Sequence, residues 1–379
     1  MILIRNCELY TPSFEGKKDV LVGGTKVLAI GNNLTLPANW EVTELEASGL
    51  FMIPGLIDGH VHIAGAGGEG GPSGRTPELP LHRFLEAGVT TAVGCLGTDG
   101  ITRNVESVLM KVKGLRQHGI SSWMYTGSYQ VPPPTILGDV AKDLAMIEEV
   151  IGVGEIALSD HRSSFPTTIE LVKLVSQARV GAMLGKKSGI INIHMGDFKD
   201  PFKPLYNASI EGKFSLKQFL PTHCNRNAWI FKDAKSYGKH GFIDITASAY
   251  PYFPDDEIKP SKALAEFLKA GVPLEHITLT SDGGGSLPSF DAEGNLIKIE
   301  IGYPKSILSE IADAVKTDGL SIEQAVSIAT INIANILKLE SKGRIAKGMD
   351  ADLVLLDKDF NLQYVIAMGK VMVRDGELI

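Results

Sequence analysis

The chain has 379 residues, 44% of them hydrophobic, and a formal net charge of −7 at pH 7. That is enough for two or three domains or one large barrel, and the acidic balance argues against nucleic acid or anionic membrane surfaces as partners, since both require basic patches. Cys7, Cys95 and Cys224 are odd in number and far apart, so no disulfide framework is implied; no apolar run approaches the ~18 residues of a membrane span, the opening "MILIRNCELYTP" is too short and polar for a signal peptide, and a soluble cytoplasmic protein is expected.

Residues 1–50 read as short strands. "MILIRNCELY", "DVLVGG", "KVLAIG" and "VTELEAS" alternate and are broken by glycine and asparagine turns. Residues 340–379 look similar, with "ADLVLLD" and "YVIAMGKVMVRDGEL" as strands and Asp375-Gly376 as a turn pair. Two β-rich ends without a large core of their own predict one small β-sandwich built from both termini. Between them, residues 51–339 alternate apolar runs with helical patterns, the mark of repeated βα units. Eight strand candidates follow in order: 51–63, 89–97, 121–129, 155–162, 189–197, 219–226, 242–249 and 277–284. "VESVLMKVKGLRQHG" and "AKDLAMIEEVIG" are helical by their three- and four-residue spacing. The fold class expected is α/β, a (β/α)8 TIM-type barrel over 51–339. "VPPPTILGD" (131–139) reads as a stiff loop and a candidate lid.

Active sites of such barrels lie at the C-terminal strand ends. Seven of the eight candidates end in polar groups: His60 and His62, Thr98, Tyr129, Glu155 to Arg162, His194, His223 with Arg226, and Asp282. The seventh strand, ending "ITASA", is the exception. Residues i and i+2 of a strand share a face, so His60 and His62 can grip one metal ion. The glycines of "AGAGGEGG" leave room above it and let backbone approach a ligand closely. Cys224, adjacent to His223, should face away into packing, and His161 reads as a hydrogen-bonded structural histidine.

"PGLIDGHVH", "INIHMGD", "LPTHCNR", "TSDGGGS" and the terminal "GRIAKGMDADLVLLD" resemble the amidohydrolase superfamily. "GGEGGPSGRTPE", "GLRQHGISSWMYTGSYQVP", "SDHRSS", "PTHCNRN" and "SDGGGSLPSFDAEGNL" resemble its isoaspartyl (β-aspartyl) dipeptidases over nearly the whole chain. The resemblance implies two bridged divalent metals, usually zinc, with His60, His62 and Asp282 on the first and His194 and His223 on the second. That family commonly bridges its metals with a carboxylated lysine; here the position aligned through "SDHR" is Glu155, and the segment is one residue longer. Glutamate carries the same charge and zinc accepts carboxylate oxygen, so Glu155 is expected to bridge without a carbamate.

The implied reaction is hydrolysis of β-aspartyl dipeptides by a metal-bridging hydroxide. Asp282 would orient it and pass its proton to the leaving amine, and Tyr129 would donate to the oxyanion. Glu69 would hold the substrate ammonium, Arg162 and Arg226 its carboxylates, and Gly67, Thr98 and Ser286 would complete the pocket. A homo-oligomer is implied by the resemblance. Two rival enzyme readings share the metal ligands: a cyclic-amide hydrolase of the hydantoinase or dihydropyrimidinase type, and an N-acyl-amino-acid deacylase. Neither needs Glu69, Arg162 and Arg226 together. A metal-free scaffold on the same barrel is the remote alternative.

Overall fold

Both ends of the chain enter one sheet. In a computed structural model, which describes residues 1–291, 293 and 295–379, β1 (Ile2–Tyr10) pairs antiparallel with β2 (Phe14–Gly23), and β2 with β3 (Lys26–Gly31). β4 (Thr43–Glu46) and β5 (Phe51–Pro54) run parallel to β1. Ile4, Cys7 and Leu9 of "ILIRNCELY" enter a core shared with Val20, Met52 and Leu355, and a bulge between Ile4 and Cys7 brings these two, three residues apart, to the same face.

The barrel starts one residue past β5. β6 (Leu56–Val61), β7 (Val89–Gly94), β8 (Ser121–Thr126), β9 (Val150–Leu158), β10 (Ile190–Met195) and β11 (Phe219–Thr222) form one parallel sheet in chain order. β12 (Ile243–Thr246) and β13 (Ile277–Thr280) pair in parallel. The Cys224 amide donates to the Asp244 carbonyl at 3.1 Å, bringing β12 beside β11. The ring closes where the Asp282 amide meets the His60 carbonyl (3.2 Å) and the His62 amide the Gly283 carbonyl (2.7 Å). This is a (β/α)8 barrel, and those last two bonds set the end of β13 over the two histidines at the end of β6.

After β13, β14 (Ser286–Phe290) and β15 (Leu296–Ile301) make a hairpin whose Leu296 and Ile299 side chains approach Gly70 and Gly74 of the glycine loop. The chain then returns to the terminal sheet as β16 (Leu353–Leu356), β17 (Leu362–Ala367), β18 (Lys370–Arg374) and β19 (Glu377–Leu378). β16 pairs with β5, joining the two ends of the chain, and Asp375-Gly376, both at positive φ, turn β18 into β19.

Two expectations change. The stretch 51–63 is two strands rather than one: β5 belongs to the terminal sheet, and only β6 to the barrel. The fourth barrel strand begins at Val150, not Glu155; β-branched Val150, Ile151 and Val153 are buried on the sheet, while the preceding helix stops at Met146. Loop 131–139 is tied down by the Ile136 and Leu137 amides donating to the Asp143 carboxylate, and none of its residues lines the cavity described below.

Candidate metal centre and substrate pocket

A cavity of about 930 Å³ opens at the C-terminal ends of the barrel strands. At its floor stand four imidazoles and two carboxylates. β6 supplies His60 and His62 follows its last residue, the two 0% and 4% exposed, and β10 supplies His194. His223 follows β11 directly and Asp282 lies two residues past β13, both non-glycine residues at left-handed φ (61° and 55°). Such backbone costs on the order of 1 kcal/mol or more and concentrates at functional sites.

Glu155 stands between the two groups of imidazoles because β9 carries one extra residue there. Ile191 pairs with Val153, but Ile193 pairs with Ile156, so a bulge falls at Gly154-Glu155. Bulges re-aim a side chain, and this one takes up the extra residue of "VIGVGEIALSDHR". A Cβ on Gly154 would sit 2.9 Å from the Asn192 backbone oxygen, so the bulge needs glycine.

The Glu155 carboxylate, 1% exposed, faces both ways. Oε2 lies 3.6 Å from His60 Nε2 and 3.7 Å from His62 Nε2; Asp282 Oδ1 is 3.5 and 3.0 Å from the same nitrogens. Oε1 lies 2.8 Å from His194 Nδ1 and 3.2 Å from His223 Nε2, which are 3.0 Å apart. Donors around a tetrahedral cation with 2.0–2.2 Å bonds are separated by roughly 3.4 Å. Both groups have that scale. His60 Nε2, Glu155 Oε2 and Asp282 Oδ1 are enclosed and have no hydrogen-bond partner. Unpaired buried polar atoms are costly, and one cation in the His60, His62 and Asp282 group would satisfy all three. Glu155, His194 and His223 form a second group whose ligand atoms are close enough to hold an ion.

The other nitrogen of three rings is held from behind. His60 Nδ1 meets Asn192 Oδ1 at 2.9 Å and His223 Nδ1 meets Thr246 Oγ1 at 2.7 Å. His194 Nε2 lies 3.1 Å from Asp160 Oδ2, with guanidinium nitrogens of Arg162 and Arg226 each 3.2 Å away. Such partners fix which nitrogen turns to a metal. Burial and the neighbouring Arg226 push His223 down to about 3, so its ring is neutral at physiological pH. Burial, then Glu155, holds the Tyr129 phenol well above its ordinary value, so its hydroxyl, 2.8 Å from His194 Nδ1, keeps its proton.

The wall above the floor carries the charged residues. Ser286 Oγ donates to Glu69 at 3.0 and 3.1 Å. Arg162 grips Asp160 with two nitrogens (3.0 and 2.8 Å) and turns its third toward Glu69 (3.4 Å) and Thr98 (3.5 Å). Arg226 is anchored by the Met195 carbonyl at 2.9 Å. Gly67 lines the cavity at φ 84°, where a Cβ would come within 2.3 Å of the Gly74 oxygen.

The amidohydrolase family model matches residues 255–372. A dihydroorotase of Pelobacter propionicus is 30% identical over 98% of this chain and 92% of that protein. Adenine deaminase of Thermosipho africanus is 25% identical, and this chain spans 59% of its length. A crystal structure of a β-aspartyl dipeptidase from Fervidobacterium islandicum AW-1, in complex with a β-Asp-Leu dipeptide, is 40% identical with a TM-score of 0.94, covering 100% of this chain and 97% of that one. The chain belongs to the amidohydrolase superfamily, in the group of the β-aspartyl dipeptidases.

This amidohydrolase brings every candidate residue of the sequence reading into one site: His62, Gly67, Glu69, Thr98, Tyr129, Glu155, Arg162, His194, His223, Arg226, Asp282 and Ser286 line the cavity, and His60 lies just behind. Cys224 is buried in the main core with Sγ 3.3 Å from the Pro221 carbonyl. His161 is not the hydrogen-bonded structural histidine expected. Its side chain is 81% exposed at the pocket rim, because the turn after β9 points it out while Asp160 and Arg162 point in. The seventh strand does contribute, through Thr246. Asn192 and Asp160 were also missed, although Asn192 shares a strand face with His194 at i, i+2 and Asp160 sits two residues before Arg162. Among the described residues no helix is long and apolar enough to cross a membrane.

Proposed function

We propose that this amidohydrolase hydrolyses β-aspartyl dipeptides with two divalent cations, zinc by the habit of its group, held by His60, His62 and Asp282 on one side and His194 and His223 on the other, with Glu155 bridging. The observation that carries the reading is the Glu155 carboxylate, with one oxygen in each donor group. We also read the catalytic barrel as running to 339, with its start moved from the expected 51 to 55 because β5 lies in the terminal sheet, and the rest of both termini as one accessory β-domain.

When bound, the cations supply a water acidified to near neutrality and Lewis-acid polarisation of the scissile carbonyl. The chain's own residues do the rest. Glu69 takes the substrate ammonium, and its negative charge is positioned by Ser286. Arg162 and Arg226 take the two carboxylates; Asp160 holds the Arg162 plane still, so little rotamer freedom is lost on binding. Thr98 and the Gly67 backbone complete the pocket. The attacking water oxygen bonds to the side-chain carbonyl carbon of the isoaspartyl residue. Asp282 accepts the water proton on the carboxylate oxygen not used to hold the cation and delivers it to the leaving nitrogen as the C–N bond breaks, releasing aspartate and the second amino acid. Tyr129, kept protonated, donates to the oxyanion.

The 30% identity to a dihydroorotase keeps the cyclic-amide reading as the competitor. A substrate panel separates them: β-Asp-Leu, α-Asp-Leu, dihydrouracil and N-acetyl amino acids. Selective cleavage of β-Asp-Leu is expected, whereas equal cleavage of α-Asp-Leu, or a preference for dihydrouracil, would contradict the proposal. Because Glu155 needs no carboxylation, activity should survive bicarbonate depletion.

A further inference from the structure

Three of the four imidazoles at the floor have an oxygen partner behind them; His62 has none among the described residues. What stands behind it is sulfur. Cys95 follows the end of β7, is 0% exposed, and its Sγ lies 3.7 Å from His62 Nδ1. His62 Nε2, on the opposite side of the ring, is the atom 3.0 Å from Asp282.

Cys95 could play either of two parts. Its Sγ lies within 4.8 Å of ligand atoms of His60, His62 and Glu155, close enough to be a metal ligand itself. Its other neighbour decides between them. Sγ is 3.7 Å from the Val61 carbonyl oxygen, an acceptor. A thiolate there would face a lone pair, whereas a thiol can donate S–H to it and accept N–H with its own lone pair. The Cys95 amide donates to the same carbonyl at 3.1 Å and pins the residue to β6. The relay then runs His62 Nδ1–H to sulfur, and S–H to the Val61 oxygen.

We propose that Cys95 is a positioning residue for the first metal half-site: a neutral thiol that accepts the His62 Nδ1 proton, fixes the ring and turns Nε2 toward the cation, without ligating it. The proposal rests on the two-metal reading above and assigns Cys95 the part that Asn192, Thr246 and Asp160 play for the other rings. Outer partners of this kind are typically worth 10–100-fold in metal affinity.

The test uses the full chain, stripped and reloaded with Co(II) or Zn(II), in wild type, Cys95→Ser and Cys95→Val. Stepwise chelator competition with Zn(II) should show one of two equivalents weakened about 10–100-fold in Cys95→Val and the other unchanged. Cys95→Ser, whose hydroxyl can still accept and donate, should restore most of the loss. The Co(II) form of the wild type should lack a near-ultraviolet sulfur-to-cobalt charge-transfer band. An intense band that vanishes in Cys95→Ser would make Cys95 a direct ligand and overturn the proposal. So would a Cys95→Val chain that holds both equivalents as tightly as wild type. If the wild type binds no metal at all, the two-metal reading fails first, and this one with it.

Discussion

Two buried polar clusters sit at opposite ends of the same barrel, and they are built differently. At the bottom, Lys342 is 4% exposed, and its ammonium reaches Asp350 and Asp352 beside β16 and Ser121 at the start of β8. Each acid is also satisfied elsewhere, Asp350 by Lys26 and Ser341 and Asp352 by the Met368 amide. Nothing is left over; the cluster stitches the terminal sheet to the barrel. At the mouth, His60, Glu155 and Asp282 each keep an enclosed atom without a hydrogen-bond partner. A polar cluster that closes on itself is structural, whereas one that converges on unpaired atoms is waiting for a ligand.

Substitutions in the two clusters should therefore fail in different ways. The largest effect is expected for Glu155→Ala, which removes a donor from both half-sites; hydrolysis should fall by more than about 10³-fold, since metal polarisation and water acidification each contribute several kcal/mol. Steady-state kinetics checks it, and a variant with near-normal kcat would erase the distinction. Lys342→Met should leave the site intact but deprive the buried Asp352 of its ammonium partner, costing roughly 3–5 kcal/mol of stability. Urea unfolding reads this, with metal content per folded chain unchanged.

Chelation sharpens the contrast further. Removing metal present at about 100 times its Kd should lower stability by about 2.7 kcal/mol, and Lys342→Met should lose the same increment on top of its own deficit because the clusters are far apart. A smaller effect is expected for Asp160→Ala, which frees the His194 ring from behind: one zinc equivalent should weaken about 10–100-fold in a chelator titration, while global stability barely moves.

Much of the site was legible because its chemistry is tied to strand ends. His60-x-His62 is a two-residue period, and His194, His223 and Asp282 each end an apolar run, so the barrel rule alone places them together. The bridging role of Glu155 was expected from resemblance and from an insertion; the reason the insertion works is a bulge opposite Ile191 and Ile193, which depends on inter-strand register and leaves no mark in composition. Cys95 and Thr246 were passed over for a related reason. They act through a ring nitrogen of a residue on another strand, and only the fold brings sulfur to His62 or hydroxyl to His223. His161 failed in the other direction. The periodic reading of "SDHR" ran the strand on to Arg162, but β9 ends at Leu158 and Ser159 is left-handed at φ 56°, so alternation no longer applied.

The shared carboxylate is tested most directly by anomalous-difference diffraction from crystals of the chain purified without chelator and loaded with Zn(II). Two peaks are expected, one between His60, His62 and Asp282 and one beside His194 and His223, with Glu155 Oε2 and Oε1 respectively nearest to each. A single peak, or two peaks with the Glu155 side chain directed elsewhere, would contradict the account.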